Sequence, residues 1–117
     1  MKYQEVIPIN RDQALLIFQE GAENEICEAL IQLAFYDPDL EWVQKQCLHY
    51  LDDQRGDVRS TALLCIGHLA RIHGRLDIDK VLPIVYKLTK DPEIGGRAED
   101  ALDDIQVFIG IPETLRI

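Results

Sequence analysis

Hydrophobic positions along this chain recur at helical spacing, and one segment shows it cleanly. Ala98, Ala101, Leu102, Ile105, Phe108 and Ile109 fall on one stripe, with Glu99, Asp100 and Asp103 opposite. That pattern places one helix face on a core and the other in water. Residues 57–74 read differently. Val58, Ala62, Leu63, Leu64, Cys65, Ile66, Leu69, Ala70 and Ile72 wrap most of the circumference. A helix apolar nearly all round belongs in the middle of a fold. No alternating strand pattern competes.

Punctuation predicts the remaining elements. Asn10 can cap a first helix over 11–19, which Gly21 ends. A second helix spans 24–36 and stops at Asp37-Pro38. A third spans 39–51, followed by turn chemistry through Gly56. The fourth, 57–74, ends on Gly74 as a left-handed cap. The fifth spans 79–89; after Asp91-Pro92, Gly95-Gly96 opens the sixth, to 109. An extended segment, 1–9, precedes the helices and a short tail, 110–117, follows. The phrase Ala-Leu-x-x-aliphatic opens at Ala29, Ala62 and Ala101, so at intervals of 33 and 39 residues. A period in that range marks stacked helix pairs, each burying its apolar face only against a neighbour. One domain of three antiparallel pairs follows: 11–36, 39–73 and 79–109.

The third pair resembles the HEAT-repeat family. The family motif sets a proline in the first helix, an aspartate eight residues on and a basic residue six further. Pro83, Asp91 and Arg97 stand at that spacing. Asp53, Val58 and Arg59 match the later half of the middle unit, where Lys45 replaces the proline; Glu20 and Ile26 make the first unit degenerate. The resemblance covers 11–109 and implies an all-α, right-handed helical-repeat solenoid. It also implies that Asp53, Asp91, Arg59 and Arg97 are scaffold, tying turn to turn.

Charge narrows the function. Twenty-one acidic against twelve basic residues give a net charge of −9. That balance opposes nucleic-acid binding, which needs clustered Lys and Arg, and suits a basic protein partner. No apolar run is long enough to span a bilayer, and the N-terminal sequence lacks a signal-peptide layout. Cys27, Cys47 and Cys65 lie in apolar helical patterns with no metal spacing, which reads as buried thiols in a reducing cytoplasm.

Catalytic and metal chemistry find little support. His68 and His73, five residues apart, lie about 140° from each other around a helix and cannot share an ion. No nucleophile setting or phosphate loop is present, so no cofactor, metal or enzymatic activity is expected. The acids Glu99, Asp100, Asp103 and Asp104 include like-charge pairs at i, i+4. They read equally as a solvated face or as a docking patch for basic groups.

The repeated alanines also serve as a ruler. Aligned on them, the second helix of each pair has a core side and a free side. The free sides carry Glu28, Ile31 and Phe35; Thr61, Leu64, His68 and Arg71; and Asp100, Asp103 and Val107. On the inner face of a stack these make an apolar strip beside His68 and Arg71, with acids at both ends. Such a composition suits an interface. The N-terminal segment or the tail could equally cover it. Trp42 lies off the stripe of its own helix and either packs on the first pair or anchors a partner. The candidate partner-binding residues are therefore Ile31, Phe35, Trp42, Leu64, His68, Arg71, Asp100 and Asp103. Small acidic helical-repeat proteins of this kind resemble bacterial immunity proteins, which block a cognate toxin. A scaffold adaptor fits too. A helical-repeat lyase, using His68, Arg71 and Asp103, fits less well, and a DNA glycosylase would need a basic groove.

Overall fold

The computed structural model describes residues 5–116. Among them the chain is all-helical, as the periodicity predicts. Six α-helices follow in order: α1 (Arg11–Glu20), α2 (Glu23–Tyr36), α3 (Leu40–Tyr50), α4 (Gly56–His73), α5 (Ile78–Leu88) and α6 (Gly95–Phe108). A single 3-10 turn, Glu113–Leu115, lies in the tail. Four residues of the expected extended segment and the last of the tail lie outside the described residues.

Local chemistry explains the helix ends. Asn10 accepts a bond from the Gln13 amide at 2.8 Å, while the Gln13 side chain accepts from the Asn10 amide. This reciprocal box satisfies two free donors at the start of α1. Asp39 caps α3 through the Trp42 amide at 3.2 Å. Gly74 closes α4 at φ 64°, where a side chain would be strained. Pro83 sits on the exposed face of α5, so the carbonyl that loses its donor one turn earlier faces water.

The helices pack around one row. α2, α4 and α6 lie side by side, with α4 central; α1, α3 and α5 each pack on the second helix of their own pair. The repeated alanines, Ala29, Ala62 and Ala101, are all buried in that row. Leu30, Leu63, Leu33, Ile66 and Ile105, at the next two core positions of the phrase, are sealed from water. Each such aliphatic contributes about 1.5–3 kcal/mol by leaving water. α4 and α6 approach so closely that a Cβ on Gly67 would collide with the Asp104 carboxylate.

Charged residues tie the turns. Arg59 donates to the carbonyls of Asp53 and Gln54 at 2.9 and 3.1 Å, and reaches Asp91 Oδ2 at 3.4 Å. Asp91 Oδ1 accepts from the amides of Glu93 and Ile94, at 2.8 and 3.2 Å, and so caps the turn into α6. Asp53 is held by Arg55. Arg97 is exposed and makes no side-chain bond among the described residues. At the other end Arg11 donates to both oxygens of Asp37 at 2.9 Å and lies over the Trp42 ring at 4.4 Å.

Three sequence expectations need correction. Cys27 is half-buried rather than buried, its thiol 3.6 Å from the Asp57 carbonyl; only Cys47 and Cys65 are sealed. Ile72 is half exposed, because it falls on the flank of α4 that carries His68 and Thr61 rather than on the side packed between helices. Phe108, on the core stripe but at the last residue of α6, is also exposed.

Candidate functional site

The free side of the α2, α4, α6 row carries the site. Phe35 and Leu64 remain 43% and 45% exposed, and Val107 73%, so the described parts of the N-terminal segment and tail leave these three open; Ile31 is half-buried and shares a groove with Val6 and Ile7 of the segment. The segment instead runs beside α2, where the Tyr36 hydroxyl donates to the Val6 carbonyl at 2.7 Å. The tail turns back to the core through Ile111 and Leu115.

At the α2–α4 junction the side chains are ordered around one imidazole. His68 stacks on the Phe35 ring, with centroids 3.9 Å apart and planes 11° from parallel. Arg71, one turn on, lies with Nη2 3.4 Å from His68 Nδ1. A guanidinium can only donate, so Nδ1 accepts and the neutral ring carries its proton on Nε2. Nε2 is buried and has no hydrogen-bond partner among the described residues. Burial pushes the His68 pKa down, helped by the positive charge of Arg71 and by His73; Asp104 opposes them. Beneath the stack, Ile31, Ala34 and Phe35 of α2 face Leu64 and Cys65 of α4 across a cavity of about 120 Å³.

Of the eight residues expected at a partner site, the fold brings five together: Ile31, Phe35, Leu64, His68 and Arg71. Asp100 and Asp103 are exposed on α6, the next helix of the row. Trp42 stands apart, half-buried on α3 beneath Arg11. Its cation–π contact joins it to the first pair, one of the two roles its sequence position allowed.

The ruler also held a signal that sequence reasoning passed over. The third residue after each repeated alanine is Gln32, Cys65 or Asp104. Cys65 is sealed at that place, Asp104 lies over Gly67, and Gln32 is only 8% exposed. An ordinary polar residue on a buried row position was therefore visible before the fold was known.

Among the described residues no group of three or more His, Cys, Asp or Glu is arranged to hold a metal. Among the described residues, too, no helix is long and apolar enough to cross a membrane. Neither a family model nor a curated protein matches the chain. A solved structure does. A chain of the crystal structure of a CDI complex from Cupriavidus taiwanensis LMG 19424 is 32% identical, with a TM-score of 0.82. The match covers 92% of this chain and 97% of that one. At such identity over nearly the whole of both chains, this protein belongs to the same family as that chain of the CDI complex.

Proposed function

We propose that this protein is the immunity component of a contact-dependent inhibition pair: a non-enzymatic, cytoplasmic binder that neutralises a cognate toxin. The observation that carries the reading is the full-length match to a chain of a CDI complex. Within a toxin–immunity pair, two properties favour the blocking half. The net charge of −9 suits contact with a basic active-site groove. The free side of the α2–α4–α6 row offers exposed apolar anchors, Phe35 and Leu64, beside the His68–Arg71 pair, with Asp100 and Asp103 on the flank. Apolar centres with charged rims carry binding energy in this way. The stacked pairs and the Arg59–Asp91 tie support the HEAT-like reading of the scaffold.

The test uses the toxin encoded beside the gene. Saturating protein should abolish toxin activity, and Leu64→Glu should weaken the complex by at least about tenfold, on the order of 1.4 kcal/mol. Its far-ultraviolet circular dichroism should stay unchanged, since Leu64 is already half in water. Full toxin activity in the presence of excess wild-type protein would end this reading.

A further inference from the structure

The hollow at the α2–α4 junction has a shape and a charge that set it apart from the rest of the strip. Ala34 and Cys65, both buried, form its floor, while Phe35, Leu64 and Arg71, all exposed, stand at its rim. Apart from His68 and Arg71, every residue that lines it is apolar. An apolar cavity of ~150 Å³ can take up a benzene ring. One of about 120 Å³ therefore suits a single aliphatic side chain.

Arg71 sets the charge. Arg11, Arg55 and Arg59 each hold an aspartate, but among the described residues no carboxylate lies within ion-pair distance of Arg71. Asp104 of α6, whose charge His68 feels, lies over Gly67 instead. The one side-chain hydrogen bond of Arg71 among these residues runs from Nη2 to His68 Nδ1, which leaves Nε and Nη1 free to donate. His68 in turn holds the guanidinium in place. Its ring lies flat on Phe35 with centroids 3.9 Å apart, and burial keeps it neutral, so that Nδ1 can accept. The fold keeps this orientation although Nε2 is left buried without a partner among the described residues, which is destabilising. That lone donor needs a reason, and the placing of Arg71 supplies one.

We infer that this hollow takes a leucine or isoleucine side chain of the protein partner, and that Arg71 pairs with an aspartate or glutamate side chain beside it. Charge complementarity selects the acid: a fork of free donors matches a carboxylate, whereas a basic group would be repelled. The carboxylate belongs to a side chain rather than a chain end. Phe35, Leu64 and Val107 are exposed along the same strip, and a folded surface is what covers all three. His68 is a positioning residue, acting through Arg71. The inference rests on the reading of the chain as a protein-binding module. It adds a local exception to the preference for basic groups that the net charge implies.

The full chain, labelled with ¹⁵N, would be titrated with acetyl-Ala-Leu-Glu-Ala-amide and with the same peptide carrying glutamine or lysine for glutamate. Salt at ~0.15 M shortens the screening length to ~8 Å, so the net charge of −9 does not mask a contact pair. The glutamate peptide should shift the Arg71 Nε–H and the Leu64 and Cys65 backbone amides saturably, and bind several-fold more tightly than the other two. A general effect of the net charge has the opposite sign and favours lysine. Alanine for leucine in the peptide should weaken binding several-fold. Arg71→Gln should abolish the preference for glutamate. His68→Leu should reduce it with Arg71 intact, and His68→Asn, which can present an oxygen near the place of Nδ1, should restore part of it. Equal binding of the glutamate and glutamine peptides, tighter binding of the lysine peptide, indifference to the leucine, or an unchanged preference in Arg71→Gln would each overturn the inference. An unchanged preference in His68→Leu would overturn the positioning role. The two readings fail separately. Toxin inhibition without the peptide preference sinks only the pairing at Arg71, and the peptide preference without toxin inhibition sinks only the immunity role.

Discussion

The turn side of the molecule and the free side of the α2–α4–α6 row use similar residues to opposite ends. At the turns, charges are paired: Arg11 with Asp37 and Asp39, Arg55 with Asp53, Arg59 with Asp91. The aromatic there, Trp42, lies under a cation. On the free side, apolar groups stand in water, His68 Nε2 has no partner, and Asp100 and Asp103 form no ion pair among the described residues. One side is closed on itself and the other is left open. A surface that satisfies its own groups has nothing to offer a partner; an unsatisfied one gains on binding what it lacks alone.

The sharpest way to break this comparison uses two adjacent residues. Leu63 is sealed between helices, while Leu64 points away and is 45% exposed. Leu63→Ala should cost about 2–5 kcal/mol of stability, from lost transfer energy and the cavity left behind. Leu64→Ala should change stability by no more than about 0.5 kcal/mol and act instead on toxin binding. Urea denaturation of both variants reads the difference. Similar losses would mean that Leu64 is a core residue and that the free side is not free.

The repeated phrase made the row legible because burial at a helix crossing demands a small residue followed by large aliphatics. Ala29, Ala62 and Ala101 obey that demand; of the residues opposite them Glu28, Phe35, Leu64, Arg71, Asp100, Asp103 and Val107 are exposed, while Ile31, Thr61 and His68 are half-buried. What stayed hidden involves distant partners. Arg11 and Asp37 are 26 positions apart, so no helical period connects them. Cys27 has an apolar pattern but is only half-buried, because at the start of α2 the first turn of α4 covers one side of it and a groove opens on the other. Phe108 differs for another reason: it lies on the covered stripe, but at the last residue of α6, where burial of the face gives out.

Of smaller expected effect is the charge at the α6 end. Asp100→Lys with Asp103→Lys should slow association with a basic toxin several-fold at low salt, by removing attraction that acts before contact. The effect should shrink as salt shortens the screening length, and dissociation should change little. Stopped-flow association at two salt concentrations tests it; an unchanged low-salt rate would confine binding to the strip.

The two sides should also separate on a pH axis, with the smallest effect. Asp37, Asp53 and Asp91 are held below the usual carboxylate range, the first two by Arg11 and Arg55 and the third by the amides of Glu93 and Ile94. Their stabilisation is fully present above the unfolded carboxylate pKa, about 3.9, and is lost as pH falls through their lower folded values. His68 is also depressed in the fold, but by burial, which favours its neutral form. Above the unfolded histidine pKa, about 6.5, that burial carries no protonation penalty. As pH falls below it, the unfolded chain takes a proton that folded His68 resists, so stability declines until the folded pKa is passed. The free side should therefore weaken first, in mild acid, and the turns later, in strong acid. His68→Gln should flatten the stability profile just below pH 6.5 and leave the steep loss below about pH 4 in place. If the substitution leaves the mild-acid slope unchanged, His68 is solvated and its stack on Phe35 does not hold it neutral.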